Sequence, residues 1–333
     1  MENNILIFNI FLIILIFFFV EPISKSLNLY DIPEKRKIHS QPVPLIGGLI
    51  IFFVIFLNYL ILKNINIYIF GLSAIYFIVG LIDDAKKISA VLRLSILSLA
   101  TILYLNIIDD FKITFLNFEQ EEIGKIYIGK YSLFFSVLCI LLFQNAMNMI
   151  DGLNGLSGSI FLLITIFILS KTGLNTELLL IVILLIIFLI FNLSNRVFLG
   201  DAGIYFLSTY LAINIIMISN NDLIYSEEIF LIMMVPGIDM FRLFVLRILN
   251  KKNPFKPDKF HLHHLVQNKF KSNLKTLIFL LLLYGTPVLL AIFTQIKTIM
   301  LIISGAILYF LTIYNLKGLN FSIKKNKVKK RNK

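Results

Sequence analysis

Polar residues able to bind an ion or move a proton gather in this chain where long apolar runs end. One run closes with Asn145-Ala-Met-Asn148-Met-Ile-Asp151-Gly152-Leu-Asn154-Gly155-Leu156, in which a polar side chain returns at every third position up to Asn154. On a helix that spacing makes a slowly turning stripe, and lipid cannot face it. Gly152 and Gly155 lack a Cβ, so they interrupt the helix and let backbone amides come close to a ligand. A second run ends in Asp83-Asp84, followed by Lys86 and Lys87. Paired carboxylates at a membrane boundary are costly unless something positive faces them. Lys86, Lys87 and Arg93 could be plain salt-bridge partners, or the pair could form an ion site or an acid–base centre. Asp201 stands between Gly200 and Gly203. There it either caps the next helix or faces a cation with little steric hindrance. Asp239 and Arg242, one turn apart, read as an internal ion pair. His261, His263 and His264 are three of the four histidines, the fourth being His39. Oxygen donors with no thiolate nearby suit Mg²⁺ better than Zn²⁺, so the histidines read as phosphate contacts. The residues together describe an anion and metal site at a membrane surface.

The elements that must position these residues are transmembrane helices. With 58% hydrophobic and 15% charged residues in 333, and a mean hydropathy of +0.89, the composition excludes a soluble globular protein. About eleven apolar segments of roughly 20 residues start near Ile5, Leu45, Asn66, Arg93, Tyr131, Gly158, Glu177, Ala202, Glu228, Thr276 and Lys297. The first lacks the basic flank and cleavage site of a signal peptide and is kept as a retained span. An amino terminus outside the cell leaves only Lys63, Lys112, Lys125, Lys130, Lys171 and Lys297, of 31 Lys and Arg, on the outer side. The positive-inside rule therefore predicts that orientation and a cytoplasmic carboxyl terminus. The net charge of +12 lies on the side of anionic lipid and phosphorylated substrates, and does not indicate nucleic acid. The fold expected is an all-α polytopic membrane protein: one catalytic domain over 1–316, a basic cytoplasmic tail over 317–333, and a small external β-hairpin within 109–130. Pro42 and Pro44 forbid a regular helix before the second span, and Pro236-Gly237 should break or kink the ninth. Leu262, Leu265, Val266 and Phe270 make the apolar face of an amphipathic helix at the interface. Cys139, the single cysteine, lies inside an apolar run as packing.

In order, DIPEKRKIHSQPVPLIGG, GLIDDAKK, NAMNMIDGLNGL, FLGDAG and PFKPDKFHLHH resemble the motifs of the polyprenyl-phosphate N-acetylhexosamine-1-phosphate transferases, from Asp31 to Leu265. The resemblance is closer to the undecaprenyl-phosphate GlcNAc-1-phosphate branch than to the phospho-MurNAc-pentapeptide branch. It implies transfer of HexNAc-1-phosphate from a UDP-N-acetylhexosamine to polyprenyl phosphate, with UMP released, at the cytoplasmic face of the plasma (inner) membrane. Mg²⁺ would be required, with Mn²⁺ as a substitute, and a homodimer is one assembly it allows. It casts Asp83 and Asp84 as the catalytic pair and Asn148 and Asp201 as metal ligands. Asp151, Gly152, Asn154 and Gly155 would bind the nucleotide, and His261, His263, His264, Lys87 and His39 the diphosphate and sugar. Asp83 could act as base or as nucleophile, and Asp84 as a partner one step removed from the metal or a lysine. Two positions depart from the family pattern: Asn154 replaces a usual Asp, and Ile204 a usual Ser. A transporter is the rival from another class, since intramembrane carboxylates also mark ion pathways. An inactive scaffold is a second.

Overall fold

The computed structural model describes residues 20–32, 41–62, 66–120, 122–251, 253 and 259–331. The expected first span and His39 lie outside them. The chain is almost wholly helical: α1 (Val20–Leu27), α2 (Gly47–Leu62), α3 (Ile67–Lys86), α4 (Ala90–Ile107), α5 (Ser132–Ile150), α6 (Leu156–Thr172), α7 (Thr176–Leu193), α8 (Gly200–Asn220), α9 (Ser226–Leu249), α10 (Leu262–Phe270), α11 (Asn273–Phe293) and α12 (Thr298–Arg331). Among the described residues, eight helices are long and apolar enough to cross a membrane, and α2 and α6 are shorter apolar helices. Every segment expected from Leu45 onward coincides with one of these ten. Boundaries follow local chemistry. The Asn66 and Asn175 side chains accept from amides of the first turns of α3 and α7, and Ser89 and Ser272 do the same for α4 and α11.

The chain forms two compact units, meeting in sequence between Ile229 and Phe230. In the first, α8 is the central post, packed against α2, α3, α5 and α6. It is 89% buried along its span, against 17% for α4, so α4 is the helix that meets lipid and α8 the one that meets protein. Small residues let the backbones approach. A Cβ on Gly48 would come 2.2 Å from the Cα of Gly203, and one on Gly80 2.6 Å from the Cα of Ala202. Further along, Phe52 stacks on Phe77 at 4.0 Å between centroids and meets Phe206 edge-on.

The segment before α2 is extended, as its prolines predict: β1 (Tyr30–Asp31) pairs antiparallel with β2 (Val43–Pro44). Pro44 then accepts from the amide of Phe198, and Gly47 and Gly48 donate to the carbonyls of Phe198 and Leu199. The VPLIGG stretch is thereby bonded to the turn that begins α8. At the far end of α8, about 30 Å away for a helix of this length, the expected hairpin forms from β3 (Phe115–Asn117) and β4 (Lys125–Tyr127). Asn117 and Lys125 of the hairpin bond Asp222, just past α8.

In the second unit, α10 packs against α11 and α12, and α11 against α12. The apolar face foreseen for α10 exists, but Leu262, Leu265 and Val266 are covered by protein. Pro236 lies inside α9 and does not break it. Proline removes the amide that would serve the carbonyl of Ile232, and the Tyr284 hydroxyl from α11 supplies the missing donor at 2.7 Å.

Candidate functional site

Asp83 and Asp84 come at the last turn of α3, Asp201 at the first turn of α8, and Asn148 at the last turn of α5. Neighbouring residues on a helix point in different directions, so the two aspartates of the pair do different things. Asp83 is buried and accepts from the Ile88 amide at 2.9 Å, Arg93 at 2.8 Å and the Tyr205 hydroxyl at 3.2 Å. Arg93 lies over the Tyr205 ring, so the guanidinium is held by an aromatic face as well as by the carboxylate. Asp84 turns to the start of α8. Its two oxygens accept from the amides of Asp201 and Ala202 at 2.9 and 3.0 Å, filling the helix's unpaired donors from outside. Asp84 thereby fixes where Asp201 stands, a placement in keeping with the role one step removed from the metal that is among those expected for it. Gly200 makes this fit: its φ is +72°, and a Cβ there would lie 2.6 Å from an Asp84 carboxylate oxygen.

Asn148 donates to Asp201 Oδ1 at 2.5 Å, joining α5 to α8. Asp83, Asp84, Asn148 and Asp201 are thus brought together from three helices at one end of α8. The charges of the three carboxylates act on one another, with Arg93 among them. Arg93 faces Asp83 directly, and carboxylates crowded this closely are of the kind a divalent cation balances. Among the described residues, no three His, Cys, Asp or Glu side chains form a ready metal cage. Mg²⁺ needs no such cage, since it takes one or two protein oxygens and fills its remaining positions with water and phosphate. Asp201 and the Asn148 carbonyl oxygen are the donors suited to hold it.

The polar stripe divides in the structure. Asn145 donates back to Leu141 in its own helix. The helix ends at Ile150, before Asp151, and α6 begins after Gly155, whose φ is +83°. Asp151 is exposed and accepts from Ser157 at 2.5 Å. Asn154 donates to Asn195, and the Gly155 amide to Asn192, both at 2.6 Å. The expected nucleotide-binding residues therefore share one turn, tied by α7's last helical turns and the bend that follows. Lys87 ends α3 in a left-handed conformation, its amide donating to the Asp83 carbonyl.

The histidines belong to the second unit. His261 and His263 are buried, their rings 5.6 Å apart and nearly parallel, and His264 lies 4.2 Å from His263. Burial holds the His263 ring well below the usual histidine range, and the neighbouring His264 and His261 act the same way. The sequence marks Arg93 only as a salt-bridge partner and does not single out Tyr205 or Asn192 as site residues. Asn192 had a signal in the sequence, an amide inside an otherwise apolar run; Tyr205 had none.

The fold and this cluster define a polytopic α-helical membrane protein with an acidic, amide-lined site at one end of its most buried helix. The sequence profile of glycosyl transferase family 4 matches residues 66–219. An undecaprenyl-phosphate alpha-N-acetylglucosaminyl 1-phosphate transferase of Thermotoga maritima is 30% identical over 258 residues, covering 77% of this chain and 79% of that protein. A probable undecaprenyl-phosphate N-acetylglucosaminyl 1-phosphate transferase of Bacillus subtilis is 31% identical over 262 residues, covering 74% and 71%. An Escherichia coli K12 protein with the same name as the Thermotoga one is 25% identical over 286 residues, covering 78% and 74%. The chain belongs to glycosyl transferase family 4.

Proposed function

We propose that this protein transfers HexNAc-1-phosphate, with GlcNAc the favoured sugar, from a UDP-N-acetylhexosamine to undecaprenyl phosphate. The products are a lipid-linked diphospho-sugar and UMP, and the step begins a cell-envelope polysaccharide. The observation that carries the reading is the meeting of Asp83, Asp84, Asn148 and Asp201 from three helices. Membership of the family and the names of the relatives favour this branch over the phospho-MurNAc-pentapeptide branch and over transport.

Phosphoryl transfer of this kind passes through a loose transition state, so positioning and charge neutralisation supply most of the rate. Asn148 and Asp201 would hold Mg²⁺, or Mn²⁺ in its place, which would supply charge neutralisation for the diphosphate and the departing UMP. Asp84 keeps Asp201 in register through the α8 amides. Asp83, fixed by Arg93 and Tyr205, acts on the lipid phosphate. A phosphate monoester has a second pKa of about 6, so a base there gains little near neutral pH; in the competing role Asp83 attacks the sugar-side phosphorus and expels UMP, and the lipid phosphate then displaces Asp83 from the phospho-sugar. The turn containing Asp151, Gly152, Asn154 and Gly155 receives uridine. His261, His263, His264, Lys87 and His39 contact the diphosphate and sugar. The protein has eleven spans, an outside amino terminus and its active site on the cytoplasmic face of the inner membrane.

Purified protein given UDP-GlcNAc, undecaprenyl phosphate and Mg²⁺ tests this. UMP release that needs both lipid and metal is expected. Release without acceptor, or none with any UDP-HexNAc, would sink the reading.

A further inference from the structure

In the second unit, Asp239 is only 2% exposed within a membrane-spanning helix, a position where a carboxylate needs donors. It has four. Arg242 Nη2 and the Tyr309 hydroxyl reach Oδ1 at 2.7 and 2.8 Å, and His261 Nδ1 and the Leu262 amide reach Oδ2 at 3.2 Å each. Arg242 also donates through Nε to the Tyr309 oxygen at 2.8 Å and through Nη2 to the Phe260 carbonyl at 2.7 Å. The ion pair expected from the sequence is present, yet it is part of something larger. Anchors on α9 and α12 hold three consecutive residues, Phe260, His261 and Leu262, that lead into α10. A carboxylate accepts and does not donate, so Nδ1 of His261 carries a proton, and of the two neutral tautomers this contact selects the one that leaves Nε2 as acceptor. The parallel His263 ring is buried beside it, and its Nε2 has no hydrogen-bond partner. An orphaned polar atom of that kind is what a ligand's polar group would satisfy.

We propose that Asp239 is a positioning residue: with Arg242 and Tyr309 it sets the ring plane and tautomer of His261, and through the stack the ring plane of His263, so that the histidine motif meets the donor's diphosphate already ordered. This rests on the transferase reading above. Fixing a histidine through the nitrogen it does not use is a general way of tuning its other nitrogen.

The test uses the full chain, labelled with ¹⁵N-histidine, in detergent. The His261 signals are assigned by their loss in His261→Gln. Without substrate, the wild-type His261 ring is expected to show the Nδ1-protonated signature, and Asp239→Asn to lose it. With UDP-GlcNAc and undecaprenyl phosphate, Asp239→Asn is expected to lower kcat/KM for the sugar nucleotide roughly 10- to 100-fold while leaving KM for the lipid unchanged. Tyr309→Phe removes one donor and keeps the carboxylate, so it should show a smaller loss of the same kind, and it serves if Asp239→Asn does not fold. Wild-type kcat/KM in both variants, or lost turnover with an unchanged His261 signature, overturns the proposal. Wild-type protein that released no UMP would overturn the transferase reading instead, and the ring signature would still decide whether the clasp exists.

Discussion

Asp83 takes three hydrogen bonds, one of them from Arg93, and it is the group on which the chemistry proposed here turns. Asp83→Asn keeps its size and removes the charge, so UMP release should fall to background. Turnover that returns at raised pH in this variant would identify a base, since a nucleophile has no such rescue. His263 predicts a pH effect of opposite character. Its ring is held neutral by burial, with His261, His264 and Asp239 as the titratable groups acting on it. A histidine whose value is lowered on folding binds fewer protons folded than unfolded, so stability is lost as pH falls below about 6.5, the unfolded value. Thermal unfolding should show that loss, and His263→Gln should blunt it. The carboxylates and amides of this site were legible in the sequence because such groups are expensive where apolar runs end. Tyr205 was not, because a tyrosine in an apolar helix looks like packing until the carboxylate it meets, more than a hundred residues away in sequence, is known.

Helices α3, α5 and α8 carry the site, and the close approach of α8 to α2 and α3 explains the glycines where these helices meet. Gly48, Gly80 and Gly203 set the depth of approach, and Asp84 closes the start of α8. Helix positions could be read from hydropathy alone, since lipid demands long apolar segments with internally satisfied backbones. What hydropathy does not contain is the pairing of helices. For that reason the bonding of VPLIGG to the turn before α8 cannot be read from the sequence, nor can the choice among the roles open to Asp84. Of the break or kink expected at Pro236, the break does not occur: it would leave a carbonyl unserved, and Tyr284 serves it. Tyr284→Phe should therefore cost about 1–3 kcal/mol, read as a lowered unfolding midpoint in detergent, with UMP release per folded molecule retained. An unchanged midpoint would mean that the Ile232 carbonyl finds another donor.

Within the first unit, one end of α8 bears the acidic cluster and the other bears the β3–β4 hairpin, and basic residues are scarce on the hairpin's side of the proposed topology. In a Cys139→Ser background, a cysteine replacing Glu122 in the hairpin should react with a membrane-impermeant maleimide in intact cells. One replacing Ser194, near the nucleotide turn, should react only after the cells are opened; the reverse pattern would invert the orientation. Sugar identity leaves no such trace in the sequence, because a C4 epimer changes one hydroxyl and no run of residues answers to it. The proposed reaction depends on oxygen donors from separate helices holding a magnesium-bound diphosphate. Titration of UMP release with Mg²⁺ tests that most directly: Asn148→Ala and Asp201→Asn should each need at least roughly 10-fold more Mg²⁺ for half-maximal rate, or lose activity at any concentration. Wild-type Mg²⁺ dependence and rate in both variants would contradict it.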